Sequence, residues 1–236
     1  KYVYSLSKIA KEVCFVVNNN IKDLFKASLN NIKIQTRDNF INNNFDYKVS
    51  LGSLIKHFYL EKYDKHDFLI NVNQNEISKW KNKFDLSKPN VGLVWTGSFF
   101  GPNQPFRSIQ LKNINKILEL DINYYCLQSE IWESDKEYFD KNRIYDFGKY
   151  NLAEIVSIIK NLDLVISVDT AIMHISSILN KETWGIFNIY PDWRWGALDK
   201  INPYNSLVKI NQTKFNQWED VTDKIHQKLK DKFKLN

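Results

Sequence analysis

In DLVISVDTAIMHISS, Asp163–Ser177, the apolar run Leu164, Val165, Ile166 and Val168 reads as a buried strand passing straight into a helix. Asp169, Thr170 and Ala171 form the junction, and His174 follows one turn later. Thr170 and His174 are four residues apart, so they share a helix face near its positive end. First-turn N–H groups have no partner inside a helix and favour a phosphate. A hydroxyl, an imidazole and open amides converging there suit a diphosphate. Each residue also has a plainer reading: Asp169 as a helix cap, His174 as a satisfied core histidine.

A second stretch, VGLVWTGSFFGPNQPFRS (Val91–Ser108), ends a buried strand in Thr96, Gly97 and Ser98, small residues that let backbone approach a ligand. Its loop then delivers Arg107 and Ser108 to the start of a helix. Arg suits bidentate recognition of phosphate oxygens, with a surface ion pair as the alternative. A third, Pro191-Asp192-Trp193-Arg194-Trp195, crowds aromatics into a loop after the strand TWGIF. Trp193 or Trp195 is placed to stack on a base or sugar, with Asp192 and Arg194 fixing hydroxyls or phosphates; a packed loop anchor is the alternative. Gln128 closes the strand YYCLQ at a similar edge, with a weaker signal. No GxGxxG or GxxxxGK[ST] motif is present, so neither a dinucleotide oxidoreductase nor a P-loop enzyme is supported. No catalytic triad, metal-ligand cluster or paired-carboxylate spacing stands out, and His57, His66 and His226 are assigned no chemistry.

Positioning these groups requires alternating strands and helices, and the pattern predicts parallel α/β layering. Helices are expected at Lys1–Lys11, Ile21–Leu29, Ser53–Leu60 and Glu76–Phe84, with strands at Val13–Val17, Ile32–Ile34 and Asp46–Ser50. A linker at Leu86–Asn90 divides the chain into domains 1–88 and 89–236. The second cycle then runs as strand Val91–Trp95, helix Leu111–Leu120, strand Tyr124–Leu127, helix Asp135–Lys141 and strand Arg143–Tyr145. Helix Leu152–Asn161 leads into the first motif, Thr183–Phe187 is the last strand, and Gln217–Lys234 is an amphipathic helix with Trp218, Val221, Ile225 and Leu229 on one face. The start, KYVYSLSKIAKE, resembles the middle of a helix, as though the chain begins one element late.

With 236 residues, 43% hydrophobic and 25% charged, the chain has the composition of a soluble globular protein. Its net charge of +6 is spread over dispersed lysines, so nucleic-acid binding has no clustered footprint, while peripheral contact with an acidic membrane face stays open. Cys14 and Cys126 sit in apolar runs and read as reduced core residues of a cytoplasmic protein.

On GLVWTGS with a following RSI, Leu127-Gln128, DLVISVDTAIMH, TWGIF with PDWRW, NPYNSLVKINQ and NQWEDV, the chain resembles the GT-B glycosyltransferases. The likeness is to those related to the ADP-heptose:lipopolysaccharide heptosyltransferases (family 9-like), most of all the branch fused to tetratricopeptide repeats. It is good over Val91–Leu229 and weak before, where FDYKVSLGSL carries it. It implies two Rossmann-like domains facing across a cleft, the first an acceptor-side domain lacking its first βα unit. The second would hold a nucleotide diphosphate-sugar donor: Thr96, Gly97, Ser98, Arg107 and Ser108 lining the pocket, Asp169, Thr170, Ala171 and His174 at the diphosphate and ribose or sugar, and Asp192, Trp193 and Arg194 closing over the nucleotide. The implied reaction is inverting transfer to a glycan, lipid-linked or protein acceptor, with no metal or other cofactor and with the catalytic base lying before residue 1. Position 171 is Ala where the heptosyltransferase pattern often has Gly. A nucleotide-sugar-binding domain without turnover is the alternative; an epimerase is disfavoured by the lack of paired carboxylates.

Overall fold

The computed structural model describes residues 2–40, 45–58, 70–97, 104–139, 144–192, 195 and 204–235. The chain divides into two compact units, residues 1–72 with 151–153, and residues 73–150 with 154–236.

The first unit is built on α1 (Tyr2–Ser7), β1 (Cys14–Val17), α2 (Lys22–Lys26), β2 (Lys33–Thr36) and α3 (Leu54–Phe58). β1 and β2 pair in parallel from Cys14↔Lys33 to Val17↔Thr36, with α2 in the connection, as a parallel crossover requires. Val3, Val13, Leu29, Ile32 and Leu54 form its core. The expected strand at Asp46–Ser50 does not form: these residues are exposed, and apolar alternation without a partner strand leaves a backbone ladder unmade.

The second unit opens with α4 (Gln74–Lys81), whose N-terminus is capped by the Asn73 side chain. The segment 85–90 is a hydrogen-bonded turn of this unit, with Asn90 Nδ2 donating to the carbonyls of Asp85 and Lys88. Next come β3 (Asn90–Val94), α5 (Gln104–Arg107), α6 (Asn115–Leu118), β4 (Asn123–Cys126), α7 (Glu133–Lys136) and β5 (Ile144–Asp146). They are followed by α8 (Leu152–Asn161), β6 (Leu164–Val168), α9 (Ala171–Ile178), β7 (Thr183–Phe187), β8 (Leu207–Asn211) and α10 (Glu219–Phe233). The six strands form one fully parallel sheet in the order β5-β4-β3-β6-β7-β8. Every residue of β3, β4, β6 and β7 is buried, the condition under which parallel strands read as continuous apolar runs. β8, which sequence reading passed over, closes one edge; only Leu207 and Ile210 of it are buried, so its signal is the weak alternation of an edge strand. The stripe Val221, Ile225 and Leu229 of α10 is fully buried, as its spacing predicts. No helix among the described residues is long and apolar enough to cross a membrane. Both cysteines are free thiols, and burial pushes that of Cys126 up to about 12.

Two interior devices fix the carboxyl edge of this sheet. The Gln128 side chain, just past β4, accepts from the Trp95 and Thr96 N–H groups through Oε1 (3.0 and 3.2 Å), and donates from Nε2 to Thr96 Oγ1 and the Glu130 carbonyl (both 2.8 Å). Gly148, after β5, presses so closely on the Gln128 backbone that a Cβ there would stand 1.7 Å from the Gln128 carbonyl oxygen. Since that neighbour is backbone and cannot swing aside, Gly148→Ala is expected to lower stability by about 2–4 kcal/mol in urea or thermal unfolding. Gly52→Ala, where a Cβ meets nothing within 4 Å, serves as the control and should stay within about 0.5 kcal/mol of the parent. Gln128→Ala strands two buried backbone donors and should cost about 2–4 kcal/mol in the same assay; an unchanged midpoint would refute the clamp.

Candidate functional site

The order of the second sheet reverses between β3 and β6, where successive strands are added on opposite sides. Loops leaving the carboxyl ends of such a pair diverge and open a crevice for ligands. β3 and β6 pair with Val94 opposite Ser167, so Trp95–Gly97 and Asp169–Ala171 leave the same edge side by side.

From β3 the chain departs at Gly97 and returns at Ser108, and the return is fastened. Ser108 Oγ accepts from the Gly97 N–H (3.2 Å), and the Ile109 N–H donates to the Trp95 carbonyl (2.8 Å). Asp135 is wholly buried; one carboxylate oxygen accepts from Trp95 Nε1 (2.9 Å) and the other from the Leu111 N–H (2.8 Å). This clasp lays the Arg107 guanidinium over Gly97, where a Cβ would come within 2.7 Å of Arg107 Nε. Only glycine leaves that space. Arg107 Nε is itself buried and has no hydrogen-bond partner among the described residues. An unpaired buried donor costs about 1–3 kcal/mol, and an acceptor arriving with a ligand would remove that cost.

From β6 the chain enters α9 through Asp169 and Thr170. Thr170 is the N-cap residue, yet it makes no side-chain cap hydrogen bond; its hydroxyl pairs with Ser167 Oγ at 3.1 Å. The first turn of α9, beginning at Ala171, is therefore uncapped, with its amides facing the sheet edge. His174 is one-third exposed, with Nδ1 2.8 Å from Tyr204 Oη and Nε2 3.8 Å from Asp169 Oδ1. At 3.8 Å the Asp169 carboxylate lies beyond hydrogen-bond reach of Nε2, and the donor at the Nδ1–Tyr204 contact is set by the tautomer. The ring stacks on Trp195 at 5.2 Å and 22°.

Arg107, Asp169 and Asp192 line one pocket with Ile186, Phe187, Asn188 and Pro191, a hollow of about 390 Å³ counting its open mouth. The structure thus brings together three of the residues singled out in sequence, from three separate loops. Thr96 and Gln128 are instead buried and bonded to each other beneath the loop, which makes them supports. Of the two readings of Trp195 the structure gives the anchor: it is 2% exposed and packs on Met173, Phe187 and Leu207. Ser98, Trp193 and Arg194 lie outside the described residues. Sequence reading missed Asn188, whose Nδ2 donates to the Phe106 carbonyl at 3.1 Å and whose Oδ1 is buried without a partner. The available signal was its place as the first residue past a buried parallel strand. Among the described residues no group of three or more His, Cys, Asp or Glu side chains could hold a metal ion.

Comparison with curated protein sequences gives no match. Among solved structures, the chain is similar to a family 9 glycosyl transferase from Veillonella parvula, at TM-score 0.57 and 9% identity over 95% of this chain and 85% of that one. This likeness shows a shared α/β fold. The ADP-heptose lps heptosyltransferase II of E. coli is similar at TM-score 0.49 and 12% identity over 69% of this chain, which spans about half (52%) of that protein. The model of the family described as Glycosyltransferase family 9 (heptosyltransferase) matches residues 128–229, from Gln128 into α10. Apart from Asn151–Ala153, the matched residues lie in the second unit, and they include the Asp169–His174 turn.

Proposed function

We propose that the protein transfers a sugar from a nucleotide diphosphate-sugar to an acceptor hydroxyl, and that the pocket at the β3/β6 edge is the donor site. The observation that carries this reading is the meeting of an uncapped helix N-terminus with a buried, unpartnered Arg107 Nε at the point of sheet reversal. Both present donors only, and a diphosphate presents acceptors only. Asp169 and Asp192 line the same pocket and would repel phosphate, but they suit the hydroxyls of a ribose or sugar.

Charge develops on the leaving diphosphate as the glycosidic bond breaks. Fixed donors aimed there lower the barrier because they need no reorganisation. Arg107 and the α9 amides fill that role, while His174, held by Tyr204 and Trp195, presents Nε2 beside Asp169. We read the transfer as inverting and metal-independent, in keeping with the family 9 likeness, and the acceptor as a glycan, lipid-linked or protein hydroxyl. The likeness to the repeat-associated branch belongs with this reading. Two thiols free of any disulfide suit the reducing cytoplasm, where we place the reaction.

Thermal-shift screening across ADP-, GDP-, UDP- and CMP-sugars should single out one nucleotide, and no shift with any would refute the donor site. With that donor, Arg107→Ala is expected to lower kcat/KM by about 10²–10³-fold, the scale of a lost charge-stabilising donor. Equal turnover in Arg107→Ala and the parent would remove Arg107 from the mechanism. Turnover should persist in excess EDTA, and its loss there would refute metal independence.

A further inference from the structure

The clasp described above fastens the Arg107 loop on the side that follows it: Ser108, Ile109 and Leu111 all come after Arg107 in sequence. On the other side, the carbonyl of Phe106, which belongs to the same peptide unit as the Arg107 nitrogen, accepts from Asn188 Nδ2 at 3.1 Å. A carbonyl oxygen can only accept, so the amide nitrogen must face it and the amide cannot be turned over. Asn188 Oδ1 has no donor, so no second bond on this oxygen competes to orient the group. The residue sits immediately past β7, whose five residues are all buried, and is carried on a rigid strand end. The adjoining Ile189 N–H donates to Gln212 Oε1 at 3.3 Å, and Gln212 is itself buried.

We propose that Asn188 is a positioning residue: from the end of β7 it pins the peptide unit that bears Arg107, and so sets the guanidinium over Gly97 for the diphosphate. The inference rests on the reading in which Arg107 meets that diphosphate. Without Asn188 the peptide unit that bears Arg107 loses this hydrogen bond, and the side chain gains freedom that ligand binding must then remove. Its effect on the ligand passes through Arg107.

The test is a double-mutant cycle on the full chain, with affinities for inorganic pyrophosphate and ADP measured by calorimetry for the parent, Arg107→Ala, Asn188→Leu and the double variant. Leu keeps the shape of Asn but cannot donate. Asn188→Leu is expected to weaken both ligands about fivefold, the worth of one such hydrogen bond. In the Arg107→Ala background the same change should have no further effect, because the group it positions is gone. Should Asn188→Leu fail to fold, Asn188→Ser is expected to show the same non-additivity. An equal loss in both backgrounds, or no loss beside a clear effect of Arg107→Ala, overturns the positioning role while leaving the donor site intact. If neither ligand binds the parent, or Arg107→Ala changes nothing, the reading of Arg107 falls and this inference with it.

Discussion

The parallel pairing of β3 with β6 is the constraint on which the site depends. Its register sets Val91 opposite Leu164 and Val94 opposite Ser167, so the next residues of each strand, Trp95 to Gly97 and Val168 to Thr170, leave at one level. Both strands are buried on both faces, and a slip of one residue would turn every side chain to the opposite face of a packed sheet. The core thus enforces the register, and the register delivers Gly97 and the α9 N-terminus to the same crevice. Packing energy spread over many apolar residues becomes the placement of a few polar ones.

What the sheet cannot do is hold a loop, and polar side chains take over where the strands end. Gln128 bonds the end of β4 to that of β3, Asp135 bonds Trp95 to Leu111, and Gln212 bonds the segment after β7 to the segment after β8. Each of the three is buried and holds backbone N–H groups that the ladder has released. Leaving those groups unpaired inside the protein would cost about 1–3 kcal/mol apiece. Loops so fastened can carry a binding residue with little freedom left to lose when a ligand arrives.

The strands that build the site were legible because they are central. Leu164–Val168 and Thr183–Phe187 were read to the residue, and β3 and β4 to within one, since burial on both faces leaves an unbroken apolar run. Edge elements were read unevenly: β5 to within one residue, while β8 went unread and Asp46–Ser50 looked like a strand without having one to pair with. Long-range pairing decides such segments, and a local pattern does not contain it. Asp169 drew notice because it stands directly after an apolar run, and Arg107 and Asp192 because they stand in the stretches that follow one. Trp195 stayed between two readings, since an aromatic in a loop can be anchor or platform, and only its burial against Met173 and Phe187 tells which. Asn188 was invisible, because an asparagine after a strand is ordinary in sequence and acquires meaning only through a carbonyl 82 positions away.

The polar groups of the pocket are sorted by kind, and the sorting fixes how a ligand can lie. Among its lining side chains Arg107 offers only hydrogens, and the carboxylates of Asp169 and Asp192 only accept them. An anion alone would meet the carboxylates as well as the arginine, and a neutral sugar alone would leave Arg107 Nε unpaired. On the proposed reading, a molecule joining phosphates to hydroxyls would set its phosphates at Arg107 and its hydroxyls at the carboxylates, the reverse placing like charges together. The helix N-terminus adds to this asymmetry, since its partial positive charge is fixed in direction by the backbone and cannot reorient to suit a reversed ligand. The end of β6 carries both kinds, Asp169 and the start of α9, so the sorting lies between individual groups of the crevice and not between strands.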